Sequence, residues 1–120
     1  VYVSSNIYSQ KENDNIFVRI SFRRTMELEK GLYEIFSNKA LLKEMLDSMQ
    51  LFNLNILKKM IYAKYNYKFK ERYYEAFFNL YAFYKYNSDS RKTRVEYKFT
   101  DTDKANLKLI EEVIKEKGGR

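Results

Sequence analysis

Phe69 to Tyr86 reads FKERYYEAFFNLYAFYKY, and the fold turns on how this stretch is wound. At about 100° per residue it makes a helix that is apolar around most of its circumference. Phe69, Tyr73, Ala76, Phe77, Leu80 and Tyr84 cover one side, and Tyr74, Phe78 and Tyr81 widen it. Glu71, Arg72, Glu75 and Asn79 leave only a narrow polar stripe. A helix with so wide an apolar arc belongs in the middle of a structure, touched from several directions. The rest of the chain is therefore expected to pack around residues 69–86.

Downstream, NSDSRK at 87–92 is polar and rich in turn formers, the clearest loop in the chain. Arg94 to Phe99 then alternates, with Val95, Tyr97 and Phe99 facing inward, as a half-buried strand does. Thr100 and Asp103 have the spacing of a capping box, with Asp in place of the usual Glu or Gln. Leu107, Ile110, Val113 and Ile114 make the stripe of the helix that follows, and Gly118-Gly119 ends it.

Upstream, residues 62–70 (YAKYNYKFK) fit two readings, the end of a helix followed by a loop or a strand with Tyr65, Tyr67 and Phe69 opposite Asn66, Lys68 and Lys70, and the first is taken here. Three short helices precede them, on Leu28, Leu32, Ile35 and Phe36, then Leu42, Met45, Leu46 and Met49, then Ile56, Leu57, Met60 and Ile61. Asn/Ser breaks separate them. At the start, Ile16, Val18, Ile20 and Phe22 alternate with Phe17, Arg19, Ser21 and Arg23, and the polar KENDN at 11–15 precedes them. The first 24 residues thus read as a hairpin. The expected fold is α+β: one domain over 1–120, with a small antiparallel sheet of the hairpin plus one later strand. About five helices would pack with it around the central aromatic helix.

The composition excludes more than it assigns. With 45% apolar and 32% charged residues the chain is globular rather than disordered. No run approaches the roughly 18 apolar residues of a membrane span, and VYVSSNIYSQ has neither the basic nor the apolar region of a signal peptide. A cytoplasmic location without membrane contact is expected. Cys 0 removes thiolate chemistry, and His 0 removes the commonest general base and transition-metal ligand together. Three glycines cannot build a phosphate-cradling loop. Glu96-Tyr97-Lys98 resembles the strand motif of a large superfamily of metal-dependent nucleases, but its only nearby upstream acid, Asp89, sits in a loop. Asp101 and Asp103 are better placed as capping and dipole residues than as a metal pair. The expectation is a non-catalytic protein with no metal and no cofactor.

Charge supplies the functional clue. The net charge is +7, and residues 58–98 alone hold eleven basic and four acidic groups, the same excess. In that stretch Lys58, Lys59, Lys64, Lys68, Lys70 and Arg72 interleave with Tyr62, Tyr65 and Tyr67, and Arg91, Lys92, Arg94 and Lys98 follow. Cations along a groove meet phosphates, and flat side chains stack on bases. Arg23 and Arg24 would join them if the later strand pairs with the hairpin. Tyr65 and Tyr67 are the expected stacking residues, while helical geometry sends Tyr73 and Phe77 to the core. The expected function is nucleic-acid binding, DNA or RNA, through 58–72 and 91–98. The alternative is a protein-interaction module, a homo-oligomer or a small subunit of a larger assembly, since interfaces favour tyrosine and arginine. Richness in Lys, Asn, Ile, Phe and Tyr is also what an AT-rich viral or mobile-element genome produces.

Overall fold

The computed structural model describes residues 26–119. They form helices α1 (Met26–Phe36), α2 (Lys43–Asp47), α3 (Leu51–Ala63), α4 (Arg72–Phe78), α5 (Ala82–Lys85) and α6 (Asp101–Glu116). Two 3-10 turns, Ser88–Ser90 and Glu96–Lys98, lie between α5 and α6. Among the described residues there is no strand, and the only pairing of that kind is an isolated parallel bridge between Tyr67 and Lys92. The architecture is helical, which overturns the expected α+β fold. The hairpin expected over 1–24, with Arg19, Arg23 and Arg24, lies outside the described residues.

The later strand fails for a physical reason. Val95 and Phe99 are four residues apart, a spacing that serves one face of a helical turn as well as one face of a strand. Val95 is buried and Phe99 half-buried, but Tyr97, the middle of the supposed inward row, is 75% exposed. The amides of Lys98 and Phe99 close back onto the carbonyls of Val95 and Glu96 at 2.9 and 3.1 Å. Short-range bonds take the place of a ladder.

The central element is α3, not residues 69–86. Leu54, Ile56, Leu57, Met60, Ile61 and Ala63 are all buried, so α3 is apolar on more than one side. Helices α1, α4 and α6 pack against it. Leu28, Leu32 and Ile35 face it from α1, where Gly31 lets the two helices approach closely. A Cβ at Gly31 would stand 2.9 Å from Leu57 Cδ2. Ile110, Val113 and Ile114 close the core from α6. Buried Asn106 fastens α6 to the α1–α2 connection, its Oδ1 accepting from Leu41 N and its Nδ2 donating to Lys39 O, both at 2.9 Å. The capping box at the start of α6 is formed as the spacing predicts, with Thr100 Oγ1 accepting from Asp103 N and the Asp103 carboxylate accepting from Thr100 N.

The aromatic stretch solves its excess of apolar surface by breaking. Between α4 and α5 the chain turns at Asn79–Tyr81, where Tyr81 is extended (φ −110°, ψ 136°). The break brings Tyr81 and Tyr84 to the same interior as Phe78 and Phe69, all four buried. The rings of Phe69 and Phe78 stack at 5.4 Å. Tyr73, expected in the core, is 50% exposed and meets Phe52 edge-on at the surface, and Phe77 is only half-buried. Arg91 holds the break in place: its guanidinium donates to Glu75 Oε2 (3.1 Å), Asn79 Oδ1 (2.7 Å) and Tyr84 O (3.0 Å), and lies 3.8 Å from the centre of the Tyr84 ring.

Candidate nucleic-acid interface

Three connections meet at one end of α3 and form a depression of about 390 Å³. The turn after α3 supplies Lys64, Tyr65 and Asn66, the 86–92 loop supplies Asn87, Ser90 and Lys92, and the 96–98 turn supplies Lys98. No carboxylate lines it among the described residues. The two basic stretches of the sequence, separated by the aromatic helices, thus converge on one polar surface.

Asn66 organises the walls. It adopts a left-handed backbone (φ 64°), a conformation that asparagine tolerates better than most residues. Its Nδ2 donates to Asn87 O at 2.8 Å and Ser90 Oγ at 2.9 Å. Its carbonyl accepts from Lys92 N at 3.0 Å, and Lys92 O accepts from Lys68 N at 2.7 Å. These bonds tie the loop of one basic stretch to the turn of the other. Tyr84 adds a third tie, its hydroxyl donating to Tyr67 O at 2.7 Å.

Beneath the hollow, one of its lining cations is held in a buried ion pair. Lys64 Nζ lies 2.5 Å from Asp103 Oδ1 and donates to Ile35 O at 2.8 Å, with the two charged side chains only 6% and 1% exposed. Tyr65 donates its hydroxyl to the other oxygen of Asp103. Burial would push the Asp103 carboxyl up, but hydrogen bonds from Lys64, Tyr65 and the Thr100 amide outweigh it and hold the group below the usual carboxylate range. The Tyr65 hydroxyl is pushed well up, first by burial and then by its bond to Asp103.

The expected contact residues therefore divide. Lys68, Lys70, Arg72, Lys92, Arg94 and Lys98 are exposed, and none is ion-paired among the described residues. Lys64 and Arg91 are internal cations, each neutralised by a carboxylate. Lys58 pairs with Glu111 at 3.3 Å, and Lys59 sits over the Tyr74 ring. Tyr65 and Tyr67 are half-buried in ring contacts with Phe99, Tyr62 and Phe69, which leaves less of either ring open to a base than at a fully exposed position. Two aromatics went unpredicted: Tyr86 and Tyr97 are 77% and 75% exposed. Each adjoins in sequence a residue of the depression, and each has a lysine, Lys85 or Lys98, over its ring. Alternation had placed Tyr97 on the inward row of the expected strand, and Tyr86 closes the aromatic stretch, so the sequence carried no signal that either ring faces solvent.

The nuclease-like triplet does not form its motif. Glu96 Oε1 accepts from Val95 N at 3.2 Å, on a 3-10 turn rather than a strand. Among the described residues, no three acidic side chains gather as metal ligands, and no helix is long and apolar enough to cross a membrane. Comparison with protein-family models, with curated proteins and with solved structures found no match for this chain.

Proposed function

We propose that this chain is a non-catalytic nucleic-acid-binding domain whose contact surface is the depression between the α3 turn, the 86–92 loop and the 96–98 turn. One observation carries the reading: exposed Lys92 and Lys98, neither of them ion-paired among the described residues, line a single polar hollow that no carboxylate of those residues lines. Phosphate contact needs that arrangement of accessible positive charge. Lys92 and Lys98 are its principal cations, and exposed Lys68 stands beside them through the backbone bond to Lys92. Arg91 and Lys64 serve the site from beneath, by fixing its walls. The test is fluorescence anisotropy with labelled DNA and RNA, single- and double-stranded, over a range of salt. Binding whose log K falls linearly with log salt supports the reading, and no binding at low salt overturns it.

A second reading, a protein-interaction module, draws on a separate feature. Phe52 and Tyr73, 53% and 50% exposed, pack edge-to-face at 5.7 Å on the surface of α3 and α4. A paired aromatic patch of that kind suits a protein contact. Pull-down through this patch, abolished by Phe52→Ser, tests it.

A further inference from the structure

Tyr86 and Tyr97 are the two most exposed large apolar side chains among the described residues. Exposure of a single aromatic ring is ordinary, but these two share a setting. Tyr86 precedes Asn87 and Tyr97 precedes Lys98, and both of those residues line the basic depression. Lys85 Nζ stands 5.7 Å from the centre of the Tyr86 ring, and Lys98 Nζ 5.9 Å from that of Tyr97. Each exposed ring is therefore coupled to a cation and belongs to a residue next in sequence to one that lines the hollow.

A duplex offers a protein its phosphates, sugars and base edges, while the flat faces of its bases are stacked on one another. Exposed rings beside a cationic hollow match a strand whose bases are unstacked and free to lie on them. We infer that the ligand is single-stranded nucleic acid, with its phosphates against Lys92 and Lys98 and its bases stacked on Tyr86 and Tyr97. Between those contacts Asn87 also lines the hollow, and its side-chain amide has a second N–H beyond the one bonded to Phe83 O. This inference rests on the nucleic-acid reading above.

The experiment uses the whole chain and a fluorescein-labelled strand of about twelve nucleotides, within the range that single-strand modules cover, alone and annealed to its complement. Four proteins are compared: the unaltered chain, Tyr86→Leu/Tyr97→Leu, Tyr86→Phe/Tyr97→Phe and Lys92→Met/Lys98→Met. Because both tyrosines are exposed, all should keep the same circular dichroism and melting temperature. The expected result is preference for the single strand and a loss of roughly thirtyfold or more in the leucine variant, from two lost stacking contacts. The phenylalanine variant should hold its affinity, because it keeps the rings. Equal affinity for strand and duplex, with the leucine variant unaffected and the methionine variant weakened, overturns the stacking inference and leaves the nucleic-acid reading standing. Failure of the unaltered chain to bind either probe overturns both.

Discussion

Lys64→Met separates a structural cation from a binding one. In the folded chain the Lys64 ammonium lies against Asp103 and Ile35 O, out of reach of solvent. Methionine keeps the aliphatic stem and deletes the charge. Asp103 then remains buried with two donors, the Tyr65 hydroxyl and the Thr100 amide. Removing one partner of a buried pair costs about 3–5 kcal/mol, and the two surviving donors place this case near the lower end. For a chain of this size, about 3 kcal/mol corresponds to a fall in melting temperature of roughly 10 °C or more. The assay is urea and thermal unfolding of both proteins at neutral and acid pH. The Asp103 carboxyl is held below its ordinary value of 3.8, so its contribution is complete above that pH and is lost as pH falls through the lower folded-state value. The gap between the two proteins should therefore be full at neutrality and shrink in strong acid. Nucleic-acid affinity, measured where both are folded, should keep its salt slope. An unchanged melting temperature with a shallower salt slope would falsify the reasoning and make Lys64 a phosphate contact.

Three further substitutions test the packing. Phe78→Ala, at a fully buried ring, should destabilise by about 3–5 kcal/mol, whereas Tyr73→Ala, at a half-exposed one, should cost under roughly 1.5 kcal/mol; the reverse order in urea melts would restore an unbroken central helix. Arg91→Met removes the clamp on Asn79, Tyr84 and Glu75 and should cost about 2–3 kcal/mol, read as a lower midpoint in chemical denaturation; an unmoved midpoint would show that the α4–α5 break holds without it. Asn66→Ala should be about 1 kcal/mol worse than Asn66→Gly, because only glycine relaxes into the left-handed backbone there; equal stabilities would remove Asn66 as the hinge of the site walls.

Much of the helical scaffold was legible because its spacing is unambiguous. Leu28, Leu32 and Ile35, or Ile110, Val113 and Ile114, recur at intervals that only a helix brings to one face, and the structure buries them. Thr100 and Asp103 announced their capping box by chemistry as well as spacing. The 69–86 stretch misled because apolar residues on every side fix no face, so periodicity could not choose between one central helix and two short ones. The deciding contact comes from Arg91, outside the stretch, and is visible only in three dimensions. Arg94–Phe99 misled because alternation over six residues also supplies an i, i+4 pair.

The candidate site was half legible for a related reason. Charge density located both basic segments, and the structure joins them. Charge alone could not tell which cations face water, since that depends on distant carboxylates such as Asp103 for Lys64 and on Glu75 for Arg91. Nor could composition rank twelve tyrosines by exposure. Tyr65 and Tyr67, bracketed by lysines, looked accessible, yet the helix ends there and folds their rings onto Phe99 and Phe69.

The central claim, that the hollow between these three connections receives nucleic acid, is tested most directly by a nitrogen–proton correlation spectrum recorded as a short single strand is titrated in. The account predicts saturable shifts at the amides of Asn66, Lys68, Asn87, Lys92 and Lys98 and at the side-chain amides of Asn66 and Asn87, with α1 and α2 unmoved. Shifts centred on Phe52 and Tyr73, or none at any position, would contradict it.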